Sequence, residues 1–325
     1  MSTTKPAASR EPYLDLASFN SMLAFRTEDA IPDLLSAIKI EDIDPEDLGH
    51  VKHQIFDHRF TVALLLFSGG RPMDELRPAL EAALTSFEDF LNDEQAPLEY
   101  VDLAIQTYYV EALWLLSLTK LLGLSDTQVE RVANIYAADE TNDGADELFE
   151  TLLAKLGRKS FEAEGLIHED PYQLLLDCIK AEPDDRPALM TKFLKRWFKG
   201  QKECDWWGSH IPRKGTTVLD TGFFGYWAFE AALVTYLWDI DDSTYRDLPH
   251  YPKDLIDHAR QSFPRGSGES PQLLRAMAGE PCPREGFWVT PAKMGSRRHF
   301  KAGEVMPDFK SDYGVTIWQW DQSQT

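Results

Sequence analysis

The sequence predicts an all-α protein: two packed helical subdomains forming a bundle-like body, with a small β-rich appendage at the C-terminal end. Three observations predict it. Apolar residues recur at helical spacing along most of the chain up to about residue 262. Proline, glycine and serine punctuate those stretches where helices start and stop. Beyond about residue 279 the pattern changes to short β-branched and aromatic runs separated by turn residues. At 325 residues, 43% hydrophobic and 12% aromatic, the chain is long and apolar enough for a sizeable core, which excludes a disordered polymer.

Residues 1–12 are polar, contain no apolar run, and are expected to be a flexible N-terminus rather than a secretory signal. The first strongly periodic helix covers 51–67. Val51, Ile55, Phe56, Phe60, Val62, Ala63, Leu65, Leu66 and Phe67 span a wide apolar face, leaving His50, His53, Gln54, Asp57, His58 and Thr61 on a narrow polar stripe. Ser68-Gly69-Gly70 ends it and Pro72 blocks its continuation. Helices follow at 73–91, 97–122 and, capped by Ser125, 125–138; another runs over 146–156 and stops at Gly157. Residues 157–169 read as a linker. Beyond it lie helices near 171–181, 186–199, 223–238 and 252–263, the last with proline in its first turn. Residues 265–271 read as a loop; residues 287–290 and 314–320 read as strands. The predicted organisation is an N-terminal helical domain over 13–157, a C-terminal helical domain over 158–262, and a loop with a β-rich tail over 263–325.

Charge narrows the function. Thirty-three basic residues against 54 acidic give a net charge of −21, the opposite of a nucleic-acid-binding footprint. The excess is uneven. Residues 281–325 hold six bases and five acids, whereas residues 1–280 hold 27 bases and 49 acids. Two acidic clusters stand out as a candidate partner surface: Glu41, Asp42, Asp44, Glu46 and Asp47, and Asp139, Glu140, Asp143, Asp146, Glu147 and Glu150. Each alone is ordinary solvated surface, with some acids favouring helix N-termini. Together they suit steered association with a basic partner.

Evidence for chemistry is sparse. GxSxG, HExxH, Walker A and dinucleotide-binding motifs are missing from the sequence. His50, His53, Asp57 and His58 share a face at metal-ligand spacing, but no distant ligand pattern completes a site, so a solvated helix face is expected. Cys178, Cys204 and Cys282 are odd in number and far apart, suggesting neither disulfides nor a metal site, and a cytoplasmic setting is expected. The helix over 223–238 is apolar nearly all round and should be the central buried one. Its Glu230 needs a partner or a proton, and His210, Arg213, Trp206 and Trp207 are candidates. A Glu230–His210 acid/base pair is one reading; a structural polar lock is the other.

The residues then resemble a known family. Residues 64–77 and 114–124 are similar to the N-terminal domain of PoNi-type immunity proteins. These proteins protect bacteria from PoNe-type DNase toxins of contact-dependent, notably type VI, secretion. The C-terminal domain pattern is closer: Trp197-Phe-Lys-Gly200, Trp207 with His210, Gly225-Tyr-Trp-Ala-Phe-Glu230, Asp241-Asp-Ser243 and Tyr251-Pro-Lys-Asp-Leu255. The chain departs from the family at Phe67, where tyrosine is frequent, and over 211–222, which is longer than usual. Pro281-Cys-Pro, Gly286-Phe-Trp and Ile317-Trp-Gln resemble a C-terminal module of other toxin-immunity proteins. The resemblance implies an all-helical, non-enzymatic inhibitor with a basic toxin nuclease domain as partner. It implies no cofactor or metal, and no direct contact with nucleic acid or membrane. Trp207, His210, Gly225, Tyr226, Trp227, Phe229 and Glu230 would be its structural signature. Immunity to a toxin other than a DNase, an adaptor or scaffold, and an enzyme using Glu230 and His210 are the alternatives.

Overall fold

The N-terminal helix buries little of itself. In a computed structural model of the chain, residues 9–40, 43–94, 96–136, 140–212, 214–216, 221–263, 275–290, 296–309 and 316–320 are described. Asp15 caps α1 (Leu16–Ala24), its carboxylate accepting the Ser18 N–H at 2.8 Å. The helix continues through one π-helical turn, Phe25–Ala30, into α2 (Ile31–Lys39). Pro32 has no N–H for the carbonyl one turn back, and the widened turn before it accommodates that loss.

α3 (Leu48–Ser68) and α4 (Met73–Leu91) form a closely packed antiparallel pair. Gly70, at φ 77°, makes the turn between them. α5 (Gln106–Leu121) starts nine residues later than its apolar pattern predicts. Asp102 takes the Ala104 N–H on its own side chain at 2.8 Å, and Asn142 takes the Leu103 N–H at 3.2 Å. Those local bonds compete with helix, so Leu98–Val101 forms only a 3₁₀ turn. α6 (Asp126–Tyr136) opens on a reciprocal Ser125–Gln128 capping box. α7 (Glu147–Lys155), α8 (Glu169–Lys180) and α9 (Arg186–Gly200) follow, with α8 and α9 paired.

The predicted helix over 223–238 is α10 (Phe229–Leu237), shorter by its first six residues. Gly225 has φ 108°, the Tyr226 N–H bonds Glu11 Oε2 at 3.1 Å, and the Ala228 N–H bonds the His250 carbonyl at 2.9 Å. With its donors committed elsewhere, this stretch stays extended. All nine residues of α10 are buried, and it packs on α5 and on α11 (Lys253–Ser262).

The chain divides into two compact units, Met1–Phe263 and Pro264–Thr325. Both predicted helical domains lie in the first, because the α5–α10 contact and the Ser68–Trp227 bond join residues on either side of 157. Residues 1–8 of the expected flexible N-terminus lie outside the described residues. Residues 9–12 are fastened: the Arg10 guanidinium bonds Asp254 at 2.6 Å and the Phe67 carbonyl at 2.8 Å, and Glu11 is buried.

The second unit is a four-stranded antiparallel sheet of β1 (Arg275–Met277), β2 (Gly286–Val289), β3 (Arg298–Phe300) and β4 (Ile317–Trp320), in the order β1-β4-β2-β3. Trp288, Phe300, Met306, Trp318, Cys282 and Ala276 fill its own small core. β1 and β3 have no counterpart in the sequence pattern; at three residues each they are too short for alternation to show.

Candidate partner-binding surface

Most of the signature residues, Gly225, Tyr226, Trp227, Phe229 and Glu230, lie in the interior. Glu230 is fully buried, and its Oε1 accepts the Trp197 indole N–H at 2.5 Å. Burial pushes its carboxyl up to about 8, against the smaller opposing pull of hydrogen bonding, so it holds a proton at neutral pH. Trp197, rather than His210, Trp206 or Trp207, is the partner; Arg213 lies outside the described residues. The reason is the late start of α10: Phe223 and Tyr226 do not share its helical face, and Glu230 turns towards α9 instead. His210 sits elsewhere, its Nδ1 2.8 Å from the Tyr226 hydroxyl. Glu230 and His210 are therefore not hydrogen-bonded as an acid/base pair, and Glu230 lines neither of the two principal cavities.

Gly225 is required by space as well as by φ. A Cβ there would lie 2.2 Å from Ser68 Oγ. That hydroxyl donates to the Phe224 carbonyl at 2.5 Å and accepts the Trp227 indole N–H at 2.8 Å, tying the end of α3 to the approach of α10. Phe229 is fully enclosed, and Trp207 lies at the surface with its indole bonded to the Phe198 carbonyl at 2.8 Å. Of the Asp241-Asp-Ser243 run, Asp242 is buried between Arg246 at 3.0 Å and Arg260 at 2.8 Å, an internal ion cluster.

The acidic clusters separate into structural and surface residues. Asp146 is 1% exposed. It caps α7 through the Phe149 N–H at 2.8 Å and also accepts the Tyr109 hydroxyl at 3.1 Å and the Ile167 N–H at 3.0 Å. Glu150 is buried too, accepting the Gly144 and Phe161 N–H groups at 2.9 and 2.7 Å. These two acids satisfy backbone donors inside the fold, where the sequence reading expected solvated surface. Glu147 is half-buried and bonded to Lys180 at 2.6 Å, while Asp143 is exposed. In the other cluster Asp44, Glu46 and Asp47 are exposed on the 3₁₀ turn Pro45–Asp47 and the residue that caps it. Glu41, Asp42 and Asp139 lie outside the described residues, as does the side chain of Glu140.

The histidine stripe of α3 also departs from expectation. His53 and Thr61 are buried rather than solvated. The His53 ring stacks on Tyr100 with centroids 3.6 Å apart, and burial, with His50 adding to it, pushes its pKa down to about 3. The 3₁₀ turn that delayed α5 brings Tyr100 onto this face, which no periodicity within α3 reveals. Among the described residues no group of three or more His, Cys, Asp or Glu is arranged to hold a metal, and no helix is long and apolar enough to cross a membrane. The sequence reading also missed a cleft of about 630 Å³ between the fastened segment at Arg10 to Tyr13 and the loop before α11, with Tyr226, Trp227 and His250 along it.

Comparison with known proteins bears on this architecture directly. Residues 10–134 match the family model for the N-terminal domain of PoNe immunity proteins (PoNi), and residues 144–255 match the model for their C-terminal domain. The crystal structure of protein PA2201 from Pseudomonas aeruginosa superposes with a TM-score of 0.60 at 20% identity, covering 79% of this chain and 93% of that one. At that identity the likeness is one of fold. No curated protein matches the chain.

Proposed function

The chain belongs to the PoNe immunity protein (PoNi) family, and from that premise we propose that it binds and neutralises one cognate toxin, a DNA-cutting nuclease delivered by type VI secretion, by covering the nuclease's DNA-binding face with an acidic surface. The observation that carries the reading is the placement of charge: residues 1–280 hold 49 acids against 27 bases, while residues 281–325 are nearly balanced. A nuclease must present a basic cleft to phosphates. An acidic face competes for that cleft and speeds the encounter, while a few apolar or aromatic residues hold the complex together. Glu230 has no catalytic part in this reading; it is a neutral, buried lock between α9 and α10. The chain would act in the cytoplasm, where the nuclease meets DNA.

The experiment is co-production of the cognate toxin with this chain. Restored growth, together with a complex that survives purification, is the expected result. Failure of both rescue and co-purification would sink the proposal.

A further inference from the structure

α2 has no buried residue, although Ile31, Leu34, Leu35, Ala37 and Ile38 are apolar. It lies along α3, and its outward side is exposed among the described residues. Two neighbouring stripes run along that side: Asp29, Asp33 and Ile40 on one, at four- and seven-residue spacing, and Glu28 and Leu35, seven residues apart, on the other, all exposed. Ile40 is 68% exposed, Leu35 42%, and Phe25, at the start of the π-helical turn, 51%. The chain then reaches the exposed acids Asp44, Glu46 and Asp47 before α3. Between Thr27 and Asp47 the sequence contains one base, Lys39. Among the described residues, none of these six acids is in an ion pair.

A surface whose only task is solubility needs the acids but not the exposed Ile40 and Leu35, nor Phe25, which is half exposed beside His58 of α3. Apolar side chains set among charges that are acidic but for Lys39 have the composition of an interface whose partner is basic. We propose that the outer face of residues 25–40, with the acidic turn at 44–47, is where the toxin seats, and that its occupant is the basic, phosphate-binding face of the nuclease domain. This rests on the immunity reading above and adds the location. The acids stand in for DNA phosphates and steer the encounter. Leu35, Ile40 and Phe25 exclude water at the centre and slow dissociation.

The test measures association and dissociation rates of the full-length chain on a catalytically inactivated nuclease domain of the cognate toxin, at low and high salt. Asp29→Lys with Asp33→Lys should slow association about tenfold at low salt, with the difference shrinking at high salt. Leu35→Ser with Ile40→Ser should speed dissociation about tenfold or more. A control with the same charge change, Glu182→Lys with Asp184→Lys on a separate exposed loop, should shift either rate less than about threefold. All these side chains are exposed, so thermal unfolding of each variant should match the parent. If the parent binds and both face variants behave like the control, the toxin seats elsewhere and the inference is overturned. If the parent forms a dimer that Leu35→Ser with Ile40→Ser abolishes while toxin binding is untouched, the face belongs to a second copy of the chain, which also overturns it. If the parent itself does not bind, the immunity reading fails first.

Discussion

Glu230 is the residue where sequence and structure agree on the question and differ on the answer. An acid on an otherwise apolar helix needs a partner or a proton, and it has both: the Trp197 indole N–H and a pKa pushed up to about 8. In the unfolded chain it titrates near 4.5. Between those values the folded protein keeps a proton that the unfolded chain has lost, so stability falls as pH rises, by about 1.4 kcal/mol per unit. His53 has the opposite sign. Its folded pKa of about 3 lies below the ordinary 6.5, so its contribution rises with pH across that window and is complete above it. The Glu230 slope is therefore clearest from pH 6.5 to 8. Denaturant unfolding of the parent and of Glu230→Gln across this range should diverge, with the variant losing less stability as pH rises; parallel curves would remove the buried proton from the account. Gly225 makes the second prediction at this scale. Gly225→Ala meets both a positive φ and Ser68 Oγ, and should destabilise by more than about 2 kcal/mol in the same assay.

At the scale of elements, what periodicity reports is burial, and helix ends are decided by donors and acceptors from elsewhere in the chain. The spans of α3, α4 and α9 are nearly those their apolar spacing predicts. α5 and α10 start late because Asp102, Asn142, Glu11 and the His250 carbonyl claim backbone donors that a helix would use. Glu11 is more than 200 residues from Tyr226 in sequence, and no local pattern carries that information. The same logic divides the acids before and within α7. Asp146 is a cap and Asp143 is surface, though they are three residues apart. Asp146→Ala should cost about 1–3 kcal/mol through the lost cap and its orphaned donors, whereas Asp143→Ala should stay within about 0.5 kcal/mol. Equal effects in thermal unfolding would contradict this assignment.

At the scale of the whole molecule, fold class is legible in the apolar spacing and its punctuation, and the family in the Gly-Tyr-Trp-x-Phe-Glu run and its companions. The proposed partner surface has no signature in the sequence: Asp44, Glu46 and Asp47 are exposed as acids at a turn ordinarily are, whereas the exposed apolar side chains of α2 could not be told from core, since an apolar stripe in sequence ordinarily signals burial. The tail has its own hydrophobic cluster and nearly balanced charge. Removing residues 264–325 should leave the unfolding temperature of the helical unit within a few degrees and toxin neutralisation unchanged. Loss of neutralisation would give the tail a direct part in inhibition. In the proposed mode of inhibition this chain and DNA compete for one face of the toxin. The most direct measurement is titration of a labelled DNA duplex, bound to the inactivated nuclease domain, with the full-length chain. Complete displacement of DNA is expected at one chain per nuclease, weakening as salt rises. A ternary complex that keeps the DNA bound would contradict it.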